Sequence, residues 1–347
     1  MPVSVVFGGQ FGSEGKGKVA HEFTRRLKAS IVVRVGGANS GHTVIDRNGG
    51  VRQFRALPTG AILADTISVI PAGSYIDVDV LLAEIAETGL DRDRVLIDPR
   101  AVLISGQHKE EERASGLQSS IGSTQSGTGA AVIARIRRDG TAIFAENDER
   151  LRPYIRPTGQ FLRARLKRQE RVVIEGTQGF GLSVLHAKDY PYVTSRDTSA
   201  AAFVSEAGLS PLDVDEVVMV LRAFPIRVSG HSGPLPNETD WGTVTRDSGY
   251  KDPVTERTTV TRNIRRVAQF HADVVRASIE ANSPNRIVLN HLDYIDATCR
   301  RSHVASSTVA RFVSGVESEI DARIDFFGFG PASINGRNLK AALAASA

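Results

Sequence analysis

The segment GGQFGSEGKGK at residues 8–18 decides the fold, because it joins a predicted strand to a predicted helix through a glycine-rich loop. The residues before it, VSVVF at 3–7, are apolar and mostly β-branched, as in a buried strand. Glycine at positions 12, 15 and 17 lets backbone N–H groups point inward around an anion, and the start of the helix adds partial positive charge. Lys16 or Lys18 can then neutralise a phosphate. The segment therefore predicts a phosphate-binding loop.

Two known glycine patterns are similar to this loop. Residues 12–18 fit the P-loop pattern GxxxxGK[ST] up to its last position, where Val19 replaces the hydroxyl that contacts Mg²⁺. Residues 15–20 also match GxGxxG/A, but no acidic residue ends the second predicted strand to hold a ribose. A variant phosphate loop is the best fit. A dinucleotide site and a purely structural tight turn are the alternatives.

Short runs rich in valine and isoleucine recur along the rest of the chain, and most are continuous rather than alternating. They lie at residues 3–7, 31–35, 67–70, 95–97, 172–174, 217–221, 287–289 and 324–327. Helical patterns lie between several of them, notably at 80–87 and 262–281. Continuous apolar strands predict an α/β fold with a mostly parallel central sheet flanked by helices. We expect one domain over residues 1–347, with a boundary near 147–157 as the alternative.

The composition narrows the class of protein. The 347 residues are 41% hydrophobic and 24% charged, typical of a globular chain, and no apolar run reaches the length of a membrane span. The single cysteine, Cys299, excludes an intrachain disulfide framework, and a cytoplasmic location is expected. The net charge of +4 is too small to indicate direct binding to nucleic acid. Eight basic residues within 150–171 predict a solvated helix face, with a partner surface or an anion-facing wall as alternatives.

Five predicted strands run directly into glycine-rich or polar loops, at 8–18, 36–43, 176–181, 290–293 and 328–330. In open α/β sheets, ligands bind just beyond the carboxyl ends of the strands. His42 in the second loop could act there as an acid or hydrogen-bond donor, although a single histidine is often structural. Gln178 in the third loop could read a base edge with its paired donor and acceptor.

Three further segments give weaker signals. The hydroxyl-rich loop at 121–129 could bind a phosphate, and an ordinary flexible loop is the alternative interpretation. The arginines and hydroxyls of 257–266 suit a carboxylate, or else form a basic helix start that faces solvent. The tetrapeptide NHLD at 290–293 lies where guanine-reading loops carry Asn-Lys-x-Asp, and four residues alone are weak evidence.

Together these motifs resemble the adenylosuccinate synthetase family. The resemblance spans residues 10–330 in the expected order, and its most specific elements are GSEGKGK at 12–18, NSGHT at 39–43, EGTQG at 175–179 and YPYVTS at 190–195. It implies a ligase that joins aspartate to position 6 of inosinate and spends GTP through a 6-phosphoryl intermediate. It also implies Mg²⁺ as cofactor and a homodimer in which Arg138 reaches across to the nucleotide phosphate.

The resemblance implies four catalytic residues and several binding sets. Ser13, Lys16, His42 and Gln178 stand at the catalytic positions, and Ser13 and the Gly41 carbonyl stand at the metal-binding positions. The triphosphate set is Gly12, Glu14, Gly15, Lys16, Gly17, Gly41, His42, Thr43, His291, Asp293, Gly328 and Gly330. The acceptor-nucleotide set is Ser13, Asn39, Ser123, Thr124, Arg138, Gln178, Thr194 and Asn263, and the aspartate set is Thr259, Thr261 and Arg265.

Three departures from the family pattern change the expected substrate. The family has an aspartate at position 13 that removes the purine N1 proton, whereas this chain has Ser13, and a serine hydroxyl is a weak base. Glu14, the next residue, is a candidate to replace that aspartate as the base. Ser13 also leaves space for a substituent on C2 of the purine and can accept a hydrogen bond from a 2-amine. Asn263 replaces an arginine that reaches the ribose 2′-hydroxyl, and His291 replaces the lysine of the guanine-reading pattern.

These departures resemble a phage-associated branch of the family, the 2-amino-2′-deoxyadenylosuccinate synthetases. The resemblance implies that the enzyme joins L-aspartate to dGMP with ATP or dATP, on the route to diaminopurine DNA, in the cytoplasm of a host cell. An ordinary short adenylosuccinate synthetase acting on IMP with GTP is one alternative. A non-catalytic nucleotide-binding homologue with a regulatory role is another.

Overall fold

The computed structural model describes residues 2–258 and 262–337. The helices are α1 (Lys16–Arg26), α2 (Val78–Thr88), α3 (Gly106–Ala114), α4 (Leu117–Ile121), α5 (Thr128–Arg137), α6 (Thr158–Lys167), α7 (Ala200–Glu206), α8 (Trp241–Ser248), α9 (Asp273–Asn282), α10 (Cys299–Ser302) and α11 (Ser307–Ile320). The strands are β1 (Val3–Gly8), β2 (Ile31–Arg34), β3 (His42–Ile45), β4 (Val51–Phe54), β5 (Ile67–Ile70), β6 (Tyr75–Ile76), β7 (Val95–Ile97), β8 (Val102–Leu103), β9 (Val172–Glu175), β10 (Val214–Arg222), β11 (Ile226–Arg227), β12 (Glu238–Thr239), β13 (Arg266–Ala268), β14 (Arg286–Asn290), β15 (Phe326–Phe327) and β16 (Asn335–Gly336).

A central sheet of nine strands, counted over the described residues, organises the molecule in the order β16-β15-β14-β10-β1-β9-β2-β5-β7. Its pairs are parallel except for β15 with β16, which is antiparallel. Each of the eight apolar runs named above overlaps one strand of this sheet. The predicted α/β architecture with a mostly parallel sheet is therefore confirmed.

Helices cover both faces of β1, which explains why its sequence is apolar without alternation. Val3, Val5 and Phe7 pack in a cluster with residues of α6, α7, α9 and α11. Val6 faces the other side, in a cluster with Val19 and other residues of α1. A strand buried on both faces gains apolar packing from every side chain.

The prediction of a long helix at 262–281 is wrong in its first half. Residues of β13 instead form the middle strand of a small antiparallel sheet in the order β11-β13-β12, and α9 begins only at Asp273. Val267 is buried in this sheet against Trp241 and Ile226. Tertiary pairing has overridden the local helical pattern. No helix within the described residues is long and apolar enough to cross a membrane.

Candidate active site

Four strands of the central sheet, two on each side of β1, end in a buried polar residue at the same edge. These residues are Arg34 on β2, Glu175 on β9, Arg222 on β10 and Asn290 on β14, each at most 3% exposed. The carboxyl ends of parallel strands share one edge of a sheet, so these side chains converge beneath the loops that follow them. Burying so many polar groups is costly unless each is paired. The pairs they form define the site.

The phosphate loop follows β1 and holds its own internal anion. Glu14 is fully buried, and its carboxylate accepts hydrogen bonds from the backbone N–H groups of Gln10 (3.2 Å) and Gly12 (2.8 Å). The same carboxylate pairs with Lys16 Nζ at 2.6 Å. Gly12 and Gly15 lie in the left-handed region, at φ 89° and 91°, which glycine adopts without strain. Glu14 thus points into the loop and holds Lys16 at the start of α1.

A charged network fixes His42 against this loop. Its Nδ1 lies 2.5 Å from Glu175 Oε1, which also accepts a hydrogen bond from Arg34 Nη1 at 2.9 Å. The other carboxylate oxygen accepts from the backbone N–H and the hydroxyl of Thr59, at 2.8 and 2.6 Å. His42 Nε2 lies 3.3 Å from Arg34 Nη1 and 3.5 Å from Ser40 Oγ. Glu175 therefore accepts from Nδ1 and orients the imidazole, with Nε2 towards Arg34 and Ser40.

Burial and the neighbouring charge of Arg34 together lower the pKa of His42 to about 4, against the opposing effect of Glu175. The imidazole is consequently neutral at pH 7. Gly17 allows this arrangement, since a Cβ there would lie 2.8 Å from His42 Cβ and 2.9 Å from Thr59 Cγ2. Contacts that short do not occur between real Cβ atoms, so only glycine lets α1 pack so closely on the histidine.

Two arginines surround Ser13. Its carbonyl accepts a hydrogen bond from Arg222 Nη1 at 2.9 Å, and its exposed hydroxyl accepts one from Arg265 Nη1. Arg222 is also paired with the Glu256 carboxylate at 2.6 Å, and Tyr294 donates its hydroxyl to the same carboxylate at 3.1 Å. Burial would raise the pKa of Glu256, but Arg222 and its other cationic neighbours lower it to about 2. The corner beside residue 13 is therefore cationic on its exposed side.

A second pocket lies where β14 and β15 end, next to α1. Lys18 Nζ donates to the Gly330 carbonyl at 2.8 Å, and Asn290 Nδ2 donates to the Glu14 carbonyl at 2.8 Å. A Cβ on Gly328 would lie 2.0 Å from Asn290 Oδ1 and 2.6 Å from Lys18 Nζ. Burial lowers the pKa of Lys18 to about 8, while nearby Asp293 partly offsets that effect. The loops that follow β14 and β15, both in the predicted triphosphate-binding set, thus meet around one buried lysine.

Residues 5–146 and 141–306 match the sequence model of the family described as adenylosuccinate synthetase. The adenylosuccinate synthetase of Methanococcus aeolicus is 35% identical over 340 residues, a match that covers 95% of this chain and 97% of that relative. The enzyme of Thermococcus onnurineus is 37% identical over 300 residues, covering 85% of each chain. This chain belongs to the adenylosuccinate synthetase family. The resemblance drawn from the motifs is confirmed.

Two solved structures are similar to this synthetase along nearly its whole length. The first is a cyanophage S-2L succinoaminodeoxyadenylate synthetase (PurZ) bound to dGMP and dATP as an energy donor, with a TM-score of 0.84 and 29% identity. That match covers 99% of this chain and 97% of the other, and it agrees with the branch that the sequence suggested. The second is a fully ligated adenylosuccinate synthetase from Plasmodium falciparum, with a TM-score of 0.83. That match covers 97% of this chain and 100% of the other, and at 21% identity it shows similarity of fold.

The structure of the synthetase places His42, Gln178 and His291 next to the phosphate loop. Gln178 Oε1 lies 3.6 Å from the position of a Cβ on Gly12. Ser195, next to Thr194, lies against Gly129 of the hydroxyl-rich loop, and the N–H groups of residues 127 and 129 donate to Glu112. That loop also contains Ser123 and Thr124, both half-buried.

Other predicted residues lie further out or are only partly enclosed. Asn39 and Gly41 are half-buried in the loop before β3, while Thr43 and Asn263 are exposed. Arg138 is exposed at the end of α5, about 15 Å along the helix from Thr128 and therefore remote from the hydroxyl-rich loop of its own chain. Thr259 and Thr261 lie outside the described residues. The roles of all these residues remain predictions.

Several site residues carry no role in the sequence prediction: Arg34, Glu175, Arg222, Glu256 and Tyr294. Glu175 belongs to a motif that the prediction used, but its contact with His42 joins residues 133 positions apart. Arg34 and Arg222 share a local signal that could have identified them. Each is an arginine that follows an unbroken run of apolar residues at the end of a strand, just before a loop.

The predicted metal ligands do not form a metal-binding set by themselves. The Ser13 hydroxyl faces the Arg265 guanidinium, its carbonyl is bonded to Arg222, and the Gly41 carbonyl is the other predicted ligand. Among residues 2–258 and 262–337, no group of three or more His, Cys, Asp and Glu side chains could hold a metal ion. Mg²⁺ commonly binds through substrate phosphates and few protein groups, so a site of that kind needs no such cluster.

Proposed function

We propose that this synthetase joins L-aspartate to C6 of dGMP with ATP or dATP as energy donor, forming N6-succino-2-amino-2′-deoxyadenylate. The observation that carries the proposal is Ser13, an uncharged and exposed side chain whose hydroxyl accepts from Arg265. A hydroxyl has two acceptor lone pairs, so one remains for the 2-amine of guanine. Serine is also smaller than the family's aspartate, which leaves room for that amine.

Two further observations support dGMP. The cyanophage synthetase of similar structure was solved with dGMP and dATP, and it shares 29% of its sequence with this chain. Asn263 is exposed and too short to make the ribose contact that the family assigns to an arginine. A deoxyribose loses nothing by that change, because it has no 2′-hydroxyl to bind.

In the proposed reaction, O6 of dGMP attacks the γ-phosphorus of the donor while N1 loses its proton to solvent water. The bond to the β,γ-bridging oxygen breaks, and ADP or dADP is the leaving group. The amine of aspartate then adds to C6 and loses a proton, and the C6–O bond breaks to release inorganic phosphate. Lys16, paired with Glu14, would hold the transferring phosphoryl group. His42, whose Nδ1–H is committed to Glu175, would donate through Nε2 to that group once the ring takes up a proton. Mg²⁺ would enter on the triphosphate and neutralise its charge.

The chain's own residues would act mainly by positioning and by charge. Glu175 keeps the His42 ring oriented, and the phosphate loop presents its backbone and Lys16 to the phosphates. Arg265 and Arg222 give the corner beside Ser13 the positive charge that suits the two carboxylates of aspartate. Since the Glu14 carboxylate is directed into the loop, it is not available beside Ser13 to take the N1 proton.

Initial rates of phosphate release test the assignment. Purified protein would be given L-aspartate and Mg·ATP with either dGMP or IMP, and the product would be identified by mass. We expect faster turnover with dGMP, and faster turnover with IMP would overturn the substrate assignment. Absence of phosphate release with either nucleotide would indicate a non-catalytic homologue.

Adenylosuccinate synthesis from IMP with GTP is the second candidate. It is favoured by the archaeal relatives, such as the Methanococcus aeolicus enzyme at 35% identity, all named adenylosuccinate synthetase. The same comparison of dGMP with IMP separates the two candidates.

We also propose that the synthetase is a homodimer in which Arg138 reaches the acceptor phosphate of the partner. Ile133 and Ile136 on α5 are 53% and 67% exposed, and the helix ends at the exposed Arg138. Exposed apolar side chains beside a charged group suit a protein interface. Sedimentation equilibrium should give twice the monomer mass, and a monomer at micromolar concentration with full activity would contradict the role of Arg138.

A further inference from the structure

Loop 189–195, which contains the predicted acceptor residue Thr194, has little regular structure of its own. Its residues form turns and bends, and Tyr190 is exposed. The backbone N–H of Thr194 donates to the Leu182 carbonyl at 2.8 Å. Loops are generally more mobile than the elements they connect, so the conformation of this loop depends on the groups that bind it from outside.

Arg227 on β11 binds this loop from below. It is 2% exposed, and its Nη1 donates to the Tyr192 carbonyl at 3.1 Å and to the Ser232 carbonyl at 2.6 Å. Its Nη2 pairs with Asp189 Oδ2 at 3.2 Å. Burial lowers the pKa of Arg227 to about 10, so the guanidinium is still charged at pH 7. One side chain thus holds loop 189–195 at two points and also holds the loop that follows β11.

The same guanidinium lies on the phosphate loop. Its Cζ is 4.2 Å from the centroid of the Phe11 ring, which is a cation–π contact. Phe11 is buried, and a Cβ on Gly181 would lie 2.7 Å from its ring, so the ring has little freedom to move. Arg227 therefore links loop 189–195 to a fixed part of the phosphate loop.

The loop that follows β11 contacts both loops of the predicted acceptor set. A Cβ on Gly233 would lie 2.5 Å from Tyr192 Cβ, in loop 189–195. A Cβ on Gly122, in the hydroxyl-rich loop, would lie 3.2 Å from Val228 Cγ2. The two loops that carry the predicted acceptor hydroxyls therefore meet the segment that Arg227 holds.

We propose that Arg227 is a positioning residue for the acceptor nucleotide, because it holds the loop of Thr194 against the phosphate loop. The inference rests on the proposed function, in which loop 189–195 binds the acceptor, and it applies whichever nucleotide that acceptor is. Arg227 acts through the loops and contacts no substrate. The phosphate loop keeps its own bonds through Glu14, so loss of the Arg227 contacts should weaken binding of the acceptor and not of the energy donor.

Replacing Arg227 by lysine tests the proposal, because lysine keeps the positive charge and loses the planar fork that reaches three oxygens at once. Isothermal titration calorimetry with the acceptor nucleotide, and separately with Mg·ATP, measures the two affinities. We expect Kd for the acceptor to rise at least about tenfold, as for the loss of a hydrogen bond to a charged group. Kd for Mg·ATP should change less than about twofold, and kcat at saturating acceptor less than about threefold.

Arg163→Lys is the matched control. Arg163 makes a similar forked pair with buried Asp213, through Nη1 at 2.8 Å and Nη2 at 2.6 Å. Asp213 lies just before β10 begins, at the opposite edge of the sheet from these loops, so both dissociation constants should stay unchanged. An acceptor Kd within twofold of the native value in folded Arg227→Lys would overturn the proposal. Equal rises of both dissociation constants would also overturn it, because they would indicate a general distortion.

The titration uses whichever of dGMP and IMP the native enzyme binds more tightly. Tighter binding of IMP would contradict the proposed substrate and leave the role of Arg227 measurable, whereas binding of neither nucleotide would overturn both. If Arg227→Lys does not fold, Asp189→Asn weakens the same contact at a side chain that is 15% exposed. We expect that variant to raise the acceptor Kd about threefold, and an unchanged value would overturn the proposal.

Discussion

Replacing Glu175 by glutamine is expected to destabilise the synthetase strongly, although the two side chains have nearly the same volume. Glu175 is fully buried and accepts hydrogen bonds from Arg34, His42 and Thr59. Glutamine removes the charge that compensates Arg34, which is 3% exposed. Removing one partner of a buried ion pair costs about 3–5 kcal/mol, because the remaining charge is left uncompensated.

That cost translates into a measurable fall in melting temperature. With an unfolding entropy of about 2.1 cal/mol/K per residue over 347 residues, the expected decrease in Tm is roughly 4–7 °C. Scanning calorimetry at pH 7 measures it. Glu149→Gln is the matched control, because Glu149 pairs with Arg152 on the surface with 86% of its side chain exposed, and it should leave Tm unchanged.

A double variant separates charge from packing in this prediction. Replacing Arg34 by methionine in the Glu175→Gln background removes the uncompensated charge, so part of the lost stability should return. A Tm for Glu175→Gln within 1 °C of the native value would refute the reasoning, because it would mean that Arg34 does not depend on this carboxylate.

Three further predictions concern the loop and the histidine. Gly17→Ala should lower kcat about a hundredfold in steady-state assays, because the added Cβ displaces His42. Gly159→Ala is the control and should retain activity, since a Cβ at Gly159 meets open space. Equal activities of the two variants would contradict the packing argument. The free energy of unfolding of the native enzyme, measured in urea, should fall as the pH falls from about 6.5 towards 4. The reason is that His42 binds a proton in the unfolded chain at a pH where it stays neutral in the folded chain. The His42→Gln variant should lose less stability over this range, and identical slopes of unfolding free energy against pH for the two proteins would exclude this cause. Ser13→Asp should raise the kcat/KM ratio of IMP to dGMP at least about tenfold by adding a base and crowding the 2-amine, and an unchanged ratio would remove Ser13 as selector.

The sheet could be predicted from the sequence because its strands are buried on both faces. Continuous valine and isoleucine runs such as those of β1 and β9 leave little alternative to a covered parallel strand. The glycine-rich loop between β1 and α1 could be predicted as well, since its glycines and lysines are close in sequence. Prediction was wrong at 262–271, where pairing within a small sheet decides the conformation of residues whose local pattern is helical.

The partners of the charged residues could not be predicted, because they lie far apart in the chain. Arg222 and Ser13 are separated by 209 positions, and Tyr250 and Asp293 by 43. Nor does the sequence reveal the direction of a side chain. Glu14 was a candidate base next to Ser13, yet the amides of its own loop draw its carboxylate inward. Such choices depend on which donors a fold brings within 3 Å.

A competition experiment tests the central claim most directly. The enzyme would receive an equimolar mixture of dGMP, GMP and IMP with L-aspartate and Mg·ATP, and the succinylated products would be quantified by mass spectrometry at low conversion. We expect N6-succino-2-amino-2′-deoxyadenylate to exceed both other products. Adenylosuccinate as the main product would contradict it.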